Sequence, residues 1–158
     1  MKLKELFNII ASVKKYPPLD ILSLAFAESS FNPTARNPAT NAVGLYQMTP
    51  WAIKRVRAED MNIFDPIIAT KVVCNFLDLI EEMDLYKLDE YKNTKFYQYL
   101  SDFERLAILY HYGLMGAKSR FKLNFVNKQD KETLIYISNI RKGKLIALEL
   151  IQCGLLKI

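Results

Sequence analysis

Apolar residues recur at helical spacing along most of the chain. Leu3, Leu6, Phe7, Ile10 and Val13, with lysines between them, predict an amphipathic first helix that ends before Pro17-Pro18. Pro18 suits the first turn of a second helix, where its missing N–H costs nothing. Ile21, Leu22, Leu24 and Ala25 carry that helix to Glu28. Helical spacing puts Leu24, Ala25 and Glu28 on one face, so a carboxylate continues an apolar stripe. The pattern then breaks. Two Asn-Pro pairs and Thr40-Asn41 make residues 32–43 an irregular loop, and Gly44 supplies backbone freedom or close approach before Leu45-Tyr46-Gln47. Thr49 is a fitting N-cap and Pro50 a fitting first residue for a helix through Trp51 to Arg57.

Asp65-Pro66 repeats that device and opens a helix through Ile68, Val72, Val73, Phe76, Leu77 and Ile80, acidic at Glu81, Glu82 and Asp84. The tyrosine-rich residues 86–100 read as a connecting segment. Asp102 starts a helix with Phe103, Leu106, Ala107 and Tyr110 that stops near Gly113 and Gly116. The basic stretch Lys118 to Lys128 is a candidate for one more. Asp130 caps a long pattern of Leu134, Ile137, Ile140, Leu145, Leu148 and Ile151 that ends at Gly154, with a kink or break expected at Gly143. With no internal repeat and no linker, the expected architecture is all-α, a single domain over residues 1–158 with an irregular loop after the acid-bearing helix.

At 158 residues the chain is long enough to bury a core. A formal charge of +5 favours polyanionic partners. No basic run interleaved with aromatics tracks a phosphate backbone, which argues against nucleic acid. No apolar stretch approaches the roughly 18–20 residues of a membrane span. The N-terminus resembles a signal peptide only weakly, because Glu5 and Asn8 interrupt its apolar core and no small-residue cleavage site precedes Lys14. It reads as a helix of the mature fold. Cys74 and Cys153 both sit in apolar helical patterns and read as buried free thiols, with a disulfide between them left open. His111 is the sole histidine, and no ligand spacing for a metal appears, so neither metal nor cofactor is expected.

Glu28 is the candidate for chemistry. Apolar surroundings raise a carboxyl pKa and keep the group protonated near neutral pH, as a general acid requires. The plainer alternative is a solvated glutamate at a helix end. The flanking residues bear on that choice: Glu28-Ser-Ser-Phe-Asn-Pro33, then Gly44-Leu-Tyr-Gln-Met-Thr-Pro50. These two segments resemble the signature of the soluble lytic transglycosylase family, Glu-Ser-x-Phe-x-Pro followed by Gly-Leu-Met-Gln and a proline-led helix. Phe64-Asp65-Pro66, Leu109-Tyr-His-Tyr-Gly113 and Glu132-Thr133 to Tyr136-Ile137 are similar to later family segments in the expected order. The resemblance covers about residues 15–140, leaving 141–158 as a C-terminal helical extension.

The resemblance implies a lysozyme-like α fold and cleavage of the β-1,4 bond between N-acetylmuramic acid and N-acetylglucosamine in peptidoglycan, leaving a 1,6-anhydromuramyl end. Glu28 matches the carboxyl group that serves first as acid and then as base. Nothing acidic lies between Glu28 and Glu59, whereas glycosidases commonly pair two carboxylates. Gln47 matches a glutamine lining the substrate groove and Tyr110 a tyrosine directed at the carboxyl. Asn37, Thr49 and Tyr136 are further substrate-contact candidates, and Ser29 is expected to fix the helix end at the acid. Tyr46, a further substrate-contact candidate, stands where methionine is usual, and His111, a supporting candidate, where asparagine is usual. Two rival readings share the fold: a hydrolase of the goose-lysozyme type, and a catalytically silent glycan-binding or assembly protein. The expected place of action is the cell wall, with delivery by a phage virion, a holin, or a secretion or conjugation apparatus.

Overall fold

In a computed structural model, which describes residues 2–122 and 128–154, the chain is all-α apart from one small ribbon. The chain divides into two compact units, Met1–Phe76 with Asn139–Ile158, and Leu77–Ser138. Both boundaries fall inside long helices, Pro66–Asp84 and Lys128–Gln152, so no linker composition marks them.

In the first unit, α1 (Leu3–Ser12) buries Leu6, Phe7, Ile10 and Ala11, the face that the periodicity predicts. The Lys2 N–H donates to Glu5 Oε2 at 3.1 Å and secures its first turn. Helix α2 (Pro18–Ser29) buries five successive residues, Ile21 to Ala25, so its middle is enclosed all round. Buried Ser23 is tolerated because its hydroxyl donates to the Asp20 carbonyl at 2.6 Å. The loop expected to be irregular contains a ribbon. Strands β1 (Arg36–Asn37) and β2 (Ala42–Val43) pair antiparallel, Arg36 opposite Val43 and Asn37 opposite Ala42. Their connection turns on Asn37, whose Oδ1 accepts the Ala39 N–H at 3.0 Å, and on Asn41 at φ 56°. Helix α3 (Pro50–Arg55) ends two residues before the expected Arg57, which itself adopts φ 55°. Helix α4 (Pro66–Asp84) starts as its Asp-Pro pair predicts, with Asp65 Oδ1 accepting the N–H groups of Ile67 (2.9 Å) and Ile68 (3.0 Å).

In the second unit the segment read as a connection is structured. A 3₁₀ helix spans Leu85–Tyr91, and α5 (Lys95–Tyr99) follows, capped by Thr94 Oγ1 accepting the Tyr97 N–H at 3.2 Å. Leu88, Tyr91 and Phe96 are buried there, in elements too short to show a period. Helix α6 (Asp102–Phe121) starts at Asp102 as expected and is capped by Ser101. The Ser101 hydroxyl accepts the Glu104 N–H (3.2 Å), and the Glu104 carboxylate accepts the Ser101 N–H (2.9 Å). Gly113, at φ 66° and ψ 175°, interrupts α6 where a stop is expected. A second helical segment then takes the start of the basic stretch as far as Phe121; residues 123–127 lie outside the described residues. Helix α7 (Lys128–Gln152) begins before Asp130, which sits 1% exposed in the first turn instead of capping it.

The C-terminal part of α7 belongs to the first unit and runs unbroken through Gly143, against the expected kink. The glycine serves contact instead. A Cβ at position 143 would stand 2.8 Å from Phe26 Cβ, 2.9 Å from Ser23 Cα and 3.1 Å from the Ser23 carbonyl oxygen. Lys144 Nζ also reaches Asp20 Oδ1 at 2.6 Å, and Lys142 Nζ lies 5.7 Å from the Phe26 ring centroid. Neither cysteine is in a disulfide. Cys74 is buried as expected, whereas Cys153 is exposed, because it follows the last residue of α7.

Candidate active site

Helix α2 keeps its apolar face to its last turn. Leu24 and Ala25 are fully buried and Glu28 is half-buried. The chain then reverses through two left-handed residues, Ser30 (φ 51°) and Phe31 (φ 66°). Such conformations cost about 1–2 kcal/mol per non-glycine residue. Ser30 N–H donates to the Phe26 carbonyl (2.8 Å) and Phe31 N–H to the Ala25 carbonyl (3.3 Å), which occupies two of the helix's terminal acceptors. Phe31 is 9% exposed, with its ring 4.5 Å from that of Phe7 and 5.4 Å from that of Phe26. Burying a phenylalanine is worth roughly 1.5–3 kcal/mol, enough to offset the strain. Strained backbone held by packing therefore lies immediately behind the carboxylate, an arrangement that recurs at functional sites.

Ser29 joins this helix end to the second motif. Its Oγ donates to the Leu45 carbonyl at 2.7 Å, stands 3.2 Å from the Ala25 carbonyl, and accepts the Asn32 N–H at 3.1 Å. Residues 44–47 form a tight turn closed by reciprocal backbone bonds between Val43 and Met48, 3.1 and 3.0 Å. Gly44 is required here: it has φ 76°, and a Cβ would come within 2.8 Å of the Ile63 carbonyl oxygen. Gln47 is half-buried and left-handed (φ 47°), its Nε2 donating to the Gly44 carbonyl at 3.0 Å. That bond leaves the Gln47 carbonyl oxygen and one N–H uncommitted among the described residues. Thr49 is half-buried and caps α3, its Oγ1 accepting the Ala52 N–H at 3.2 Å. Asn37 is exposed on β1, engaged in the turn bond described above.

Tyr46 departs from its expected place among the sugar contacts. It is 1% exposed, and its hydroxyl lies 2.9 Å from Thr70 Oγ1. Thr70 spends its own proton on the Pro66 carbonyl at 2.7 Å, so Tyr46 is the donor of the pair. Burial holds the Tyr46 phenol well above its ordinary pKa, and it stays protonated. The tyrosine supports the turn from beneath instead of facing outward.

The second unit groups the remaining candidates. Tyr110 is half-buried and His111 exposed, both on α6. Tyr136 on α7 is 5% exposed, its hydroxyl donating to the Ala107 carbonyl at 3.4 Å. The His111 ring stacks on Tyr136 with centroids 4.1 Å apart, and Tyr112 stands edge-on to His111 at 4.6 Å. His111, not Tyr136, is the exposed member of this stack.

A cavity of about 780 Å³ lies at the other end of α2, lined by Asn8, Ser12, Lys14, Lys15, Tyr16 and Pro17. Ten residues of helix at 1.5 Å each put Pro18 about 15 Å from Glu28, so that cavity is separate from the acid. Among the described residues no group of three or more His, Cys, Asp or Glu could hold a metal ion, and no helix is long and apolar enough to cross a membrane. No curated protein and no solved structure matches the chain. The family model of the transglycosylase SLT domain matches residues 5–131, which include every candidate named here except Tyr136. The chain therefore belongs to the transglycosylase SLT domain family, in the lysozyme-like superfamily, whose members are lytic transglycosylases acting on the glycan of peptidoglycan.

Proposed function

We propose that this protein cleaves the β-1,4 bond between N-acetylmuramic acid and N-acetylglucosamine without water, and that Glu28 serves as both acid and base. The carboxyl proton passes to the glycosidic oxygen as the bond to muramyl C1 breaks. The carboxylate left behind takes the proton of the muramyl C6 hydroxyl as O6 closes onto C1. Atoms and charges balance, and the carboxyl group is regenerated as the 1,6-anhydro product forms.

The observation that carries this reading is the placement of Glu28. A half-buried carboxylate ends an enclosed helix, with left-handed backbone behind it and Ser29 bonded across to Leu45 beside Gln47. The uncommitted amide groups of Gln47 and the Thr49 hydroxyl proton can meet sugar hydroxyls and N-acetyl groups. Tyr110 and Asn37 are proposed as further contacts, and His111 as the ring that meets substrate in place of Tyr136.

The test is mass spectrometry of products released from purified peptidoglycan. Wild type should release 1,6-anhydromuropeptides, and Glu28→Gln should lose at least the 10²–10⁴-fold that general acid–base catalysis typically supplies. Reducing ends without anhydro products would assign the protein to the hydrolases. An inactive wild type that still binds would leave a glycan-binding role.

A further inference from the structure

Arg36 is exposed on β1, and its guanidinium carbon lies 4.4 Å from the centre of the Phe64 ring. Among the described residues that guanidinium makes no hydrogen bond and no ion pair. Arg105 offers a contrast, since its guanidinium donates to the Tyr97 (2.9 Å) and Leu100 (2.5 Å) carbonyls and pairs with Asp102. Arg105 is spent on structure, whereas Arg36 has all its N–H groups available. A guanidinium over an aromatic face is held in place without using a donor, and its planar fork matches a carboxylate with two parallel bonds.

The base of this arrangement is fixed. Phe64 N–H donates to Asn62 Oδ1 at 3.2 Å, and Ile63, 7% exposed, packs against Gly44 too closely to admit a Cβ. Short contacts also tie Arg36 to the acid. Ser29 Oγ meets the Leu45 carbonyl at 2.7 Å, Gly44 N–H meets the Ala35 carbonyl at 2.8 Å, and Arg36 is the next residue. An unspent cation thus stands in the same small assembly as the end of α2.

We propose that Arg36, seated on Phe64, binds a carboxylate of the substrate and so selects acidic muramyl glycan over neutral N-acetylglucosamine polymer. The inference rests on the glycan-cleaving reading above. Peptidoglycan offers the carboxylate from two sources: the peptide stem, and the lactyl group of muramic acid, which is free once stems are removed. Arg36 is then a specificity residue that acts by binding, not in the proton transfers.

The experiment compares wild type, Arg36→Gln and Arg36→Lys on intact peptidoglycan, on amidase-stripped strands, and on stripped strands whose carboxyls have been amidated. Arg36→Gln should raise KM about 5–30-fold on an acidic substrate, the range for loss of a charge-assisted bond with some screening, and Arg36→Lys should fall between. The ratio of variant to wild-type KM should approach one on amidated strands. A ratio that is high on intact material and lost on stripped strands assigns the stem. A ratio near one on intact material that is high on stripped strands and vanishes on amidation assigns the lactyl group, and a ratio high on both unmodified substrates and lost on amidation assigns both. Equal KM on all three substrates, or an equal rise on all three, overturns the proposal. Pelleting of Glu28→Gln and of the Glu28→Gln/Arg36→Gln double variant with intact and with amidase-stripped sacculi reads the same contact without turnover. If wild type cuts nothing, the glycan-cleaving reading fails, while equal pelleting of the two variants on both kinds of sacculi would sink the Arg36 assignment separately.

Discussion

Replacing Gly143 by alanine sets two physical effects against each other. Inside a helix, alanine is favoured over glycine by about 1 kcal/mol, so propensity alone predicts a more stable protein. The packing of α7 on α2 predicts the opposite. The added Cβ would stand 2.8 Å from Phe26 Cβ and 2.9 Å from Ser23 Cα, distances that real Cβ atoms essentially never adopt. Neither atom is the far end of a flexible side chain, so backbone must move. Overpacking of this kind typically costs about 1–3 kcal/mol and outweighs the propensity gain at most of that range. The net cost is then up to about 2 kcal/mol; for a chain of this size each kcal/mol shifts Tm by roughly 2–4 °C, and the expected fall is up to about 8 °C. Thermal unfolding followed by circular dichroism measures it. Since Phe26 lies two residues before Glu28, turnover of peptidoglycan should also fall at temperatures where Gly143→Ala is fully folded. A rise in Tm would refute the reasoning, for it would mean that α7 does not press on α2 at this point.

Three further substitutions test the supports of the site. Ser29→Ala removes the bonds to Leu45 and Asn32 and should cost about 1–3 kcal/mol at 0.5–1.5 each, with kcat falling more than stability accounts for. Calorimetry and initial rates separate the two, and unchanged rates would deny Ser29 its positioning role. Tyr46→Phe removes a donor to Thr70 and should cost about 0.5–1.5 kcal/mol. Tyr46 also predicts a pH dependence: its folded phenol holds its proton more tightly than the unfolded one, so stability is intact below about pH 10 and declines above it. Tyr46→Phe should flatten that alkaline decline in urea titrations, and an unchanged slope would count against the buried phenol. Asp65→Ala deprives two N–H groups of their acceptor and should lower stability by about 0.5–2 kcal/mol, read from the urea midpoint.

The helices with long periodic stretches and strong caps were legible in the sequence. Thr49-Pro50 and Asp65-Pro66 announce α3 and α4 because side-chain caps and proline act locally, and the structure places both as expected. The 3₁₀ helix and α5 were not legible, since they span too few residues for a period to emerge. Gly143 was misread for a related reason. A glycine in a helical pattern reports either a bend or a close neighbour, and only the neighbour, Ser23 on α2, distinguishes the two. The site was partly legible. The family-like segments singled out Glu28, Ser29, Gln47 and Thr49 as candidates, and the first unit ties Ser29, next to Glu28, to Leu45 in the turn that carries Gln47. They said nothing of burial, and Tyr46 and Tyr136, both counted among the substrate-contact candidates, lie buried with their hydroxyls bonded to Thr70 and to the Ala107 carbonyl. Arg36 carried no signal beyond its position between the two motif halves. Its ring partner Phe64 lies 28 residues further along.

These placements bear on why the acid keeps its position. A carboxylate on the last turn of a helix would ordinarily fray with that turn. Here the turn is held from three directions within one unit. Phe31 is anchored on Phe7 and Phe26 beyond the helix end, Ser29 is tied to Leu45 across the loop, and α7 presses on Ser23 and Phe26 from outside. The third support comes from residues beyond 131, where the family match stops. The left-handed residues Ser30 and Phe31 would unwind if they stood alone, at a gain of about 1–2 kcal/mol each. They persist because the reversal buries Phe31 while keeping Ser29 against Leu45. Loosening any one support should therefore release the turn that bears Glu28 before it melts the core. Activity should be lost at milder denaturant or temperature than helix content, and coincident loss of both would show that the acid's position depends on the whole core and not on these three contacts.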